Sequence, residues 1–215
     1  MQETRQVALC IVGRPSSLFT RVPLLFAHTL GVTHDFEHIP DMTRTDPAAY
    51  ADNPALKLPI LRIGHDTVFG AYNICRVIAQ QADAGDAVTW PENIPGILAA
   101  NAHELLAHCM GAQVQVVMGT QVAALPADNA YFTKALAGMR GALHWLDAHL
   151  DEVLALFPVH RRLSWFEACL FCLLEHLTFR QTLDWQPMSA LVAFARDYAR
   201  RADAGATAYH YPQSM

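Results

Sequence analysis

A chain of 215 residues, 53% of them apolar, has room for one compact domain or two small ones and can bury a sizeable core. With 20 acidic against 15 basic side chains it carries no cationic excess to hold a phosphate backbone, so nucleic acid is not expected as a partner. No run approaches the roughly 18 apolar residues of a membrane span, because the greasiest segment, 168–174, is closed by Glu167 and Glu175; a soluble chain without a membrane partner is expected.

Residues 6–12 read as a buried strand that Gly13, Arg14 and Pro15 break. From Ser17 to Leu30, apolar residues at 18, 22, 25, 26 and 30 make a helical face ending at Gly31. Residues 33–39 are a second strand candidate, and the turn-rich stretch 40–54 leaves space for at most a turn or two of helix. Segments 59–63 and 67–69, separated by Gly64-His65-Asp66, suit an antiparallel hairpin, and 71–81 resumes helical character. Composition changes over 82–95, where Ala, Asp and Gly precede Trp90-Pro91 and Pro95. We place a boundary there, giving an α/β domain over 1–82 and an all-helical domain over 94–215. In the second, helices are expected over 97–119, 129–150, 164–177 and 188–202, with Pro126, Pro158 and Pro187 in the joints. The run 113–117 alternates polar and apolar residues and fits a helix least well.

Two constellations are set aside. His103 and His108 are five residues apart, which turns the second ring about 140° around a helix from the first, so one face cannot offer both to a metal. Cys169 and Cys172 have the spacing of a redox pair but lie inside an apolar helical run. With Cys10, Cys75 and Cys109 they make an odd count that points to buried reduced thiols, not a disulfide framework. The other histidines form no cluster at ligand spacing, and no metal is expected. Met110, Met118, Trp145, Trp165, Phe166 and Tyr209 are read first as core, and second as walls of an apolar substrate pocket.

The order strand, helix, strand, hairpin, helix is that of the thioredoxin-like fold, in which the strand after the second crossover often begins with a cis proline; Pro59 stands there. In this frame Asn53-Pro-Ala-Leu-Lys-Leu-Pro-Ile-Leu61, then Thr67-Val-Phe, then Ile74-Cys-Arg-Val-Ile-Ala79 resembles a region of the cytosolic glutathione transferases. Ser17-Leu-Phe-Thr-Arg-Val22 resembles the opening of that family's first helix, and Ser164-Trp-Phe-Glu167 its helix-capping motif, here a capping box.

The resemblance implies a thioredoxin-like amino-terminal domain, an all-α carboxy-terminal domain, a homodimer, and glutathione as co-substrate. It implies that Ser17 stabilises the glutathione thiolate for attack on a hydrophobic electrophile. A thiol of pKa about 8.5 needs such help, and a hydrogen bond and a helix N-terminus both supply it. Ser17 is equally suited to cap the helix; the two roles are compatible, and Ser16 and Thr20 are alternative hydroxyls. The glutathione side would include Phe19, the backbone of Leu58 before Pro59, and positions 70 and 71. There the chain departs from the family: Gly70 and Ala71 stand where an acid and a serine hold the γ-glutamyl end. Hydrogen bonds to charged groups are worth about 1.5–3 kcal/mol each, so two lost contacts weaken binding by about two powers of ten or more. Either another residue, such as Asn73 or an acid from a partner subunit, replaces the lost contacts, or the ligand differs from glutathione or is absent. The alternatives are a non-catalytic binding or regulatory module, which Gly70-Ala71 favours, and a glutathione-dependent isomerase or thiol reductant, against which Ser17 in place of a cysteine counts. The opening Met-Gln-Glu-Thr-Arg-Gln lacks a secretory pattern, so a cytoplasmic location is expected.

Overall fold

The computed structural model describes residues 8–211. The described residues divide into two compact units after Gly85, and the segment 203–211 belongs with the first of them.

In the first unit β1 (Leu9–Gly13) lies between β2 (Asp35–His38), parallel to it, and β3 (Ile60–Ile63), antiparallel. Strand β4 (Asp66–Phe69) completes a mixed sheet of order β2-β1-β3-β4. Residues 6 and 7 of the expected first strand lie outside the described residues. Alternation along the strands sorts the sheet into two faces. On one, Val12 stands opposite Ile60 and packs with Ile39, Tyr50 and Ala51, so the loop between β2 and β3, with its single 3-10 turn Pro47–Tyr50, covers that face. Ile11 and Leu61 point the other way and are fully buried. Helices α1 (Leu18–Leu30) and α2 (Ala71–Gln81) pack on each other and on the strands, and bury Val22, Leu25, Phe26, Ile74 and Ile78 completely. Helix α1 stops at Gly31, whose φ of 71° lets its N–H turn back to Ala27 and His28.

The second unit holds α3 (Ile97–Val116), a π-helical turn Val117–Val122, α4 (Ala130–Ala155), α5 (Trp165–Arg180) and α6 (Ser189–Tyr198). A two-residue parallel pair, β5 (Val88–Thr89) with β6 (Leu163–Ser164), is the one strand element it adds. Helix α5 is buried all round: Phe166, Ala168, Cys169, Leu170, Phe171, Cys172, Leu173 and Leu174 are at most 1% exposed. The apolar run 168–174 is therefore a core helix, and both its cysteines are packing residues. Burial pushes the Cys109 thiol, on α3, up to about 12. Met110 and Phe166 lie in this core. Among the described residues no helix is long and apolar enough to cross a membrane.

Four sequence expectations are corrected. Helix α4 continues to Ala155, past 150, because Asp151 and Glu152 fall on its exposed side and Val153 returns to the buried one. The helix expected over 188–202 breaks after Tyr198 and resumes as α7 (Ala202–Ala206). The segment from Asp203, assigned above to the helical domain, packs instead on α1. The buried Arg21 donates to Ala204 O at 3.0 Å and to Thr207 Oγ1 at 3.4 Å, and its guanidinium lies 4.4 Å from the Tyr209 ring centre. Finally, Ser164 accepts from Glu167 N at 3.3 Å as a cap should, but the Glu167 carboxylate turns to Arg161, with both contacts at 2.7 Å, and does not reach back over the helix start.

His103 and His108 also part company. His108 is exposed and pairs with Glu104 at 3.0 Å, whereas His103 donates from Nδ1 to Ala99 O at 2.8 Å and packs against the rings of Phe157 and Phe166. Its Nε2 is sealed from solvent with no partner among the described residues, and burial holds its pKa below the usual value. The neutral ring is therefore the folded form. Below pH about 6.5 the unfolded chain binds a proton that the folded one refuses, so this part of the stability is complete above that pH and falls as pH drops toward the folded value. Urea unfolding at pH 7.5 and 5 should show the wild type losing more stability than His103→Leu; equal losses would contradict it.

Candidate functional site

The strand register gathers the candidate residues at one end of the sheet. Gly13, at the end of β1, pairs with His38 at the end of β2; Val12 pairs with Ile60, and Ile60 with Phe69. The loop into α1, the entry to β3 and the start of α2 therefore share an edge. Hydrogen bonds tie them: Ile39 N to Gly13 O at 3.0 Å, Ser17 N to Arg14 O at 3.0 Å, and Gly70 N to Pro59 O at 3.3 Å.

Ser17 is the N-cap of α1, with extended backbone, and its Oγ accepts from Thr20 N at 3.3 Å. It is half-buried, and its own hydroxyl proton has no acceptor among the described residues. The two alternative hydroxyls are closed off: Ser16 is 2% exposed, and Thr20 is fully buried with Oγ1 accepting from Arg14 N at 3.4 Å. Phe19, in the first turn of α1, is half-buried.

The Leu58–Pro59 peptide is cis. Neither N–H nor C=O of Leu58 has a hydrogen-bond partner among the described residues, while its side chain packs on the cluster around Tyr50. Asn53 steadies the approach, donating to Lys57 O at 2.8 Å and accepting from Ala55 N at 3.0 Å. Gly70 is the N-cap of α2, with φ 86° and ψ 139°, and is exposed; Ala71 opens the helix and is buried. No side chain caps this helix start. The Asn73 amide nitrogen is committed to Phe69 O at 3.1 Å, which leaves its oxygen as an acceptor.

Two residues at this edge escaped the sequence reading. Arg14 donates to Ile39 O at 2.8 Å and to Pro40 O, fastening the loop after β1 to the one after β2. His38 has a buried Nε2 without a partner among the described residues, and burial, then the Arg14 charge, hold its pKa below the usual value. Neither sits in a motif, and only the pairing of β1 with β2 brings them together.

Residues 11–86 match the family model for the glutathione S-transferase N-terminal domain. All of that match but its last residue lies within the first unit. Among solved structures it is similar in fold to a glutathione transferase family member of Pseudomonas fluorescens Pf-5 with bound glutathione, at 21% identity over 94% of this chain and 99% of that one (TM-score 0.77). It is similar also to a glutathione S-transferase of Methylobacillus flagellatus KT with glutathione bound, at 20% identity over 94% and 100% (TM-score 0.72). A third, glutathione transferase F7 of Populus trichocarpa, shares 16% identity over 93% and 97% (TM-score 0.69). Among curated proteins none matches the sequence. The α/β domain with a helical region beside it in sequence is the fold of these transferases. No group of three His, Cys, Asp or Glu among the described residues is placed to hold a metal.

Proposed function

We propose that the protein binds glutathione along the edge of the first unit and activates its thiol for transfer to a hydrophobic electrophile. The observation that carries this reading is the Ser17 hydroxyl. It accepts from the helix and keeps its proton to donate to a sulfur lying at the α1 N-terminus. A donor and the positive end of a helix both favour thiolate over thiol. The unpaired main chain of Leu58 offers an extended peptide one donor and one acceptor. Phe19 borders the thiol position, the N–H of Ala71 at the start of α2 receives the γ-glutamyl carboxylate, and the Asn73 oxygen receives its ammonium. The glutathione-bound relatives of the same fold support this ligand. On this reading the protein acts as a cytoplasmic homodimer with residues 1–82 in its glutathione domain and a helical domain that begins at residue 94.

The second reading is a binding module that has lost the chemistry. It is favoured by Gly70 and Ala71, which offer no side-chain group to the amino-acid end.

Calorimetric titration with glutathione and a conjugation assay with a chloroarene separate the two. For the transferase, glutathione binds, turnover follows, and Ser17→Ala lowers turnover by about tenfold or more while raising the pKa of the bound thiol, one unit being about 1.4 kcal/mol. Binding without turnover supports the module. Absence of heat up to millimolar glutathione would sink the transferase and leave a module that has given up this ligand.

A further inference from the structure

The chain returns to the first unit near its carboxy-terminal end, and the segment 203–209 lies along α1. Asp203 takes the Thr29 hydroxyl close to the end of that helix. Arg21 stands eight residues earlier, about 12 Å back along the axis. It donates from Nε to Thr207 Oγ1 at 3.4 Å and from Nη2 to Ala204 O at 3.0 Å, and Tyr209 lies against its guanidinium. Thr207 gives its own proton to Asp203 O at 2.9 Å, so its oxygen faces Arg21 as an acceptor. Arg21, Ala204 and Thr207 are all buried, and the contact is dry. A guanidinium fork taken out of water holds its geometry, because each bond that lengthens leaves a buried donor unsatisfied. The main chain of Arg21 meanwhile closes the first turn of α1, donating to Ser17 O at 3.2 Å, and Thr20 N donates to Ser17 Oγ at 3.3 Å. One residue therefore joins the cap of α1 to a segment 183 residues further along the chain.

We propose that the segment 203–209 is a strap that positions the Ser17 hydroxyl, with Arg21 and Thr207 as the positioning residues; this rests on the thiol role proposed for Ser17. Arg21 acts through the turn it closes and not on the sulfur. Strap and cap are the two ends of one rigid connection: Thr207 holds the guanidinium, the guanidinium holds the first turn, and the turn aims the hydroxyl. Misplacing a reacting group by about 1 Å can cost about a hundredfold in rate, so loosening this connection acts on turnover before it acts on binding.

The test compares the full-length wild type with Thr207→Val, which keeps the shape of the side chain and removes the hydroxyl, and with Thr207→Ser, which restores the hydroxyl. Hydrogen exchange at the Thr20 amide reports the Ser17 cap directly and needs no ligand. Thr207→Val should speed that exchange by about threefold to tenfold, up to the worth of one hydrogen bond. The amides of Ile11 and Leu61 in the sheet should keep their wild-type rates, and Thr207→Ser should exchange as the wild type does. With glutathione and a chloroarene, Thr207→Val should lower kcat by a similar factor and leave KM for glutathione within about twofold, whereas a merely structural role would leave kcat per folded molecule unchanged. Arg21→Lys keeps the charge, loses the fork and should show the same pattern more strongly; if it fails to fold, the Thr207 pair still decides. A wild type that does not turn over glutathione marks failure of the thiol reading, and the Thr20 amide then decides the strap alone. The strap is overturned if Thr207→Val leaves Thr20 exchange unchanged, if Ile11 and Leu61 accelerate equally with it, or if kcat of an active enzyme does not fall.

Discussion

Gly13→Ala is expected to cost about 1–3 kcal/mol of stability, the usual range for forcing an extra carbon into a packed interior. A Cβ on Gly13 would lie 2.4 Å from Thr20 Cγ2 and 2.6 Å from Thr20 Oγ1, closer than unbonded atoms approach. Thr20 cannot swing aside, since it is fully buried and its Oγ1 receives Arg14 N at 3.4 Å. The strain must then move the start of α1, whose cap is Ser17, away from the end of β1. Stability and the position of the Ser17 hydroxyl are therefore coupled through one missing methyl group. Thr20→Ala removes both clashing atoms and leaves only the Thr20 Cβ, 3.1 Å from the new carbon. The double variant should regain most of what Gly13→Ala loses, a non-additivity readable from urea midpoints. An unchanged midpoint in Gly13→Ala would show that α1 is not seated on β1 in this way.

That contact also marks the limit of what the sequence discloses. Gly13 is legible as a strand breaker, and Ser17 as a cap, because both are local features with local causes. The hairpin at Gly64 and the helical face of α1 are legible for the same reason, since apolar spacing reports which side is buried. Thr20 beneath Gly13, and Arg14 on the carbonyls after β2, depend on which strands pair, and no local pattern records pairing. Glu167 shows the complementary failure. Its spacing from Ser164 satisfies the capping box, yet Arg161, six residues before it, offers a two-pronged charged partner and takes the carboxylate. The segment from Asp203 was misassigned because its place is set by one buried guanidinium far away in sequence, at Arg21. Candidate site residues were nameable only through family resemblance; the free proton of Ser17 and the unpaired main chain of Leu58 are properties of the fold.

Ala71→Ser is expected to raise glutathione affinity by about tenfold to a hundredfold, the worth of one hydrogen bond to a charged group. Ala71 is the first residue of α2, 6% exposed, where a hydroxyl adds one oxygen at a helix start that no side chain caps. The positive end of the helix already favours a carboxylate, so the new donor acts beside an existing attraction. An acid at the preceding position should help less. Gly70 has φ 86° and ψ 139°, where a side chain carries a backbone penalty of about 1–3 kcal/mol, although no atom stands within 4 Å of the added Cβ. Gly70→Glu therefore gains an ammonium partner and loses much of it again to the main chain. Calorimetry on the wild type and the two single variants gives the ranking, with Ala71→Ser tightest. If the wild type binds glutathione and Ala71→Ser leaves the affinity unchanged, the γ-glutamyl end does not lie at the start of α2. If only the variants bind, the wild-type fold has kept the crevice and given up the ligand through these two positions, and the module reading gains what the transferase reading loses.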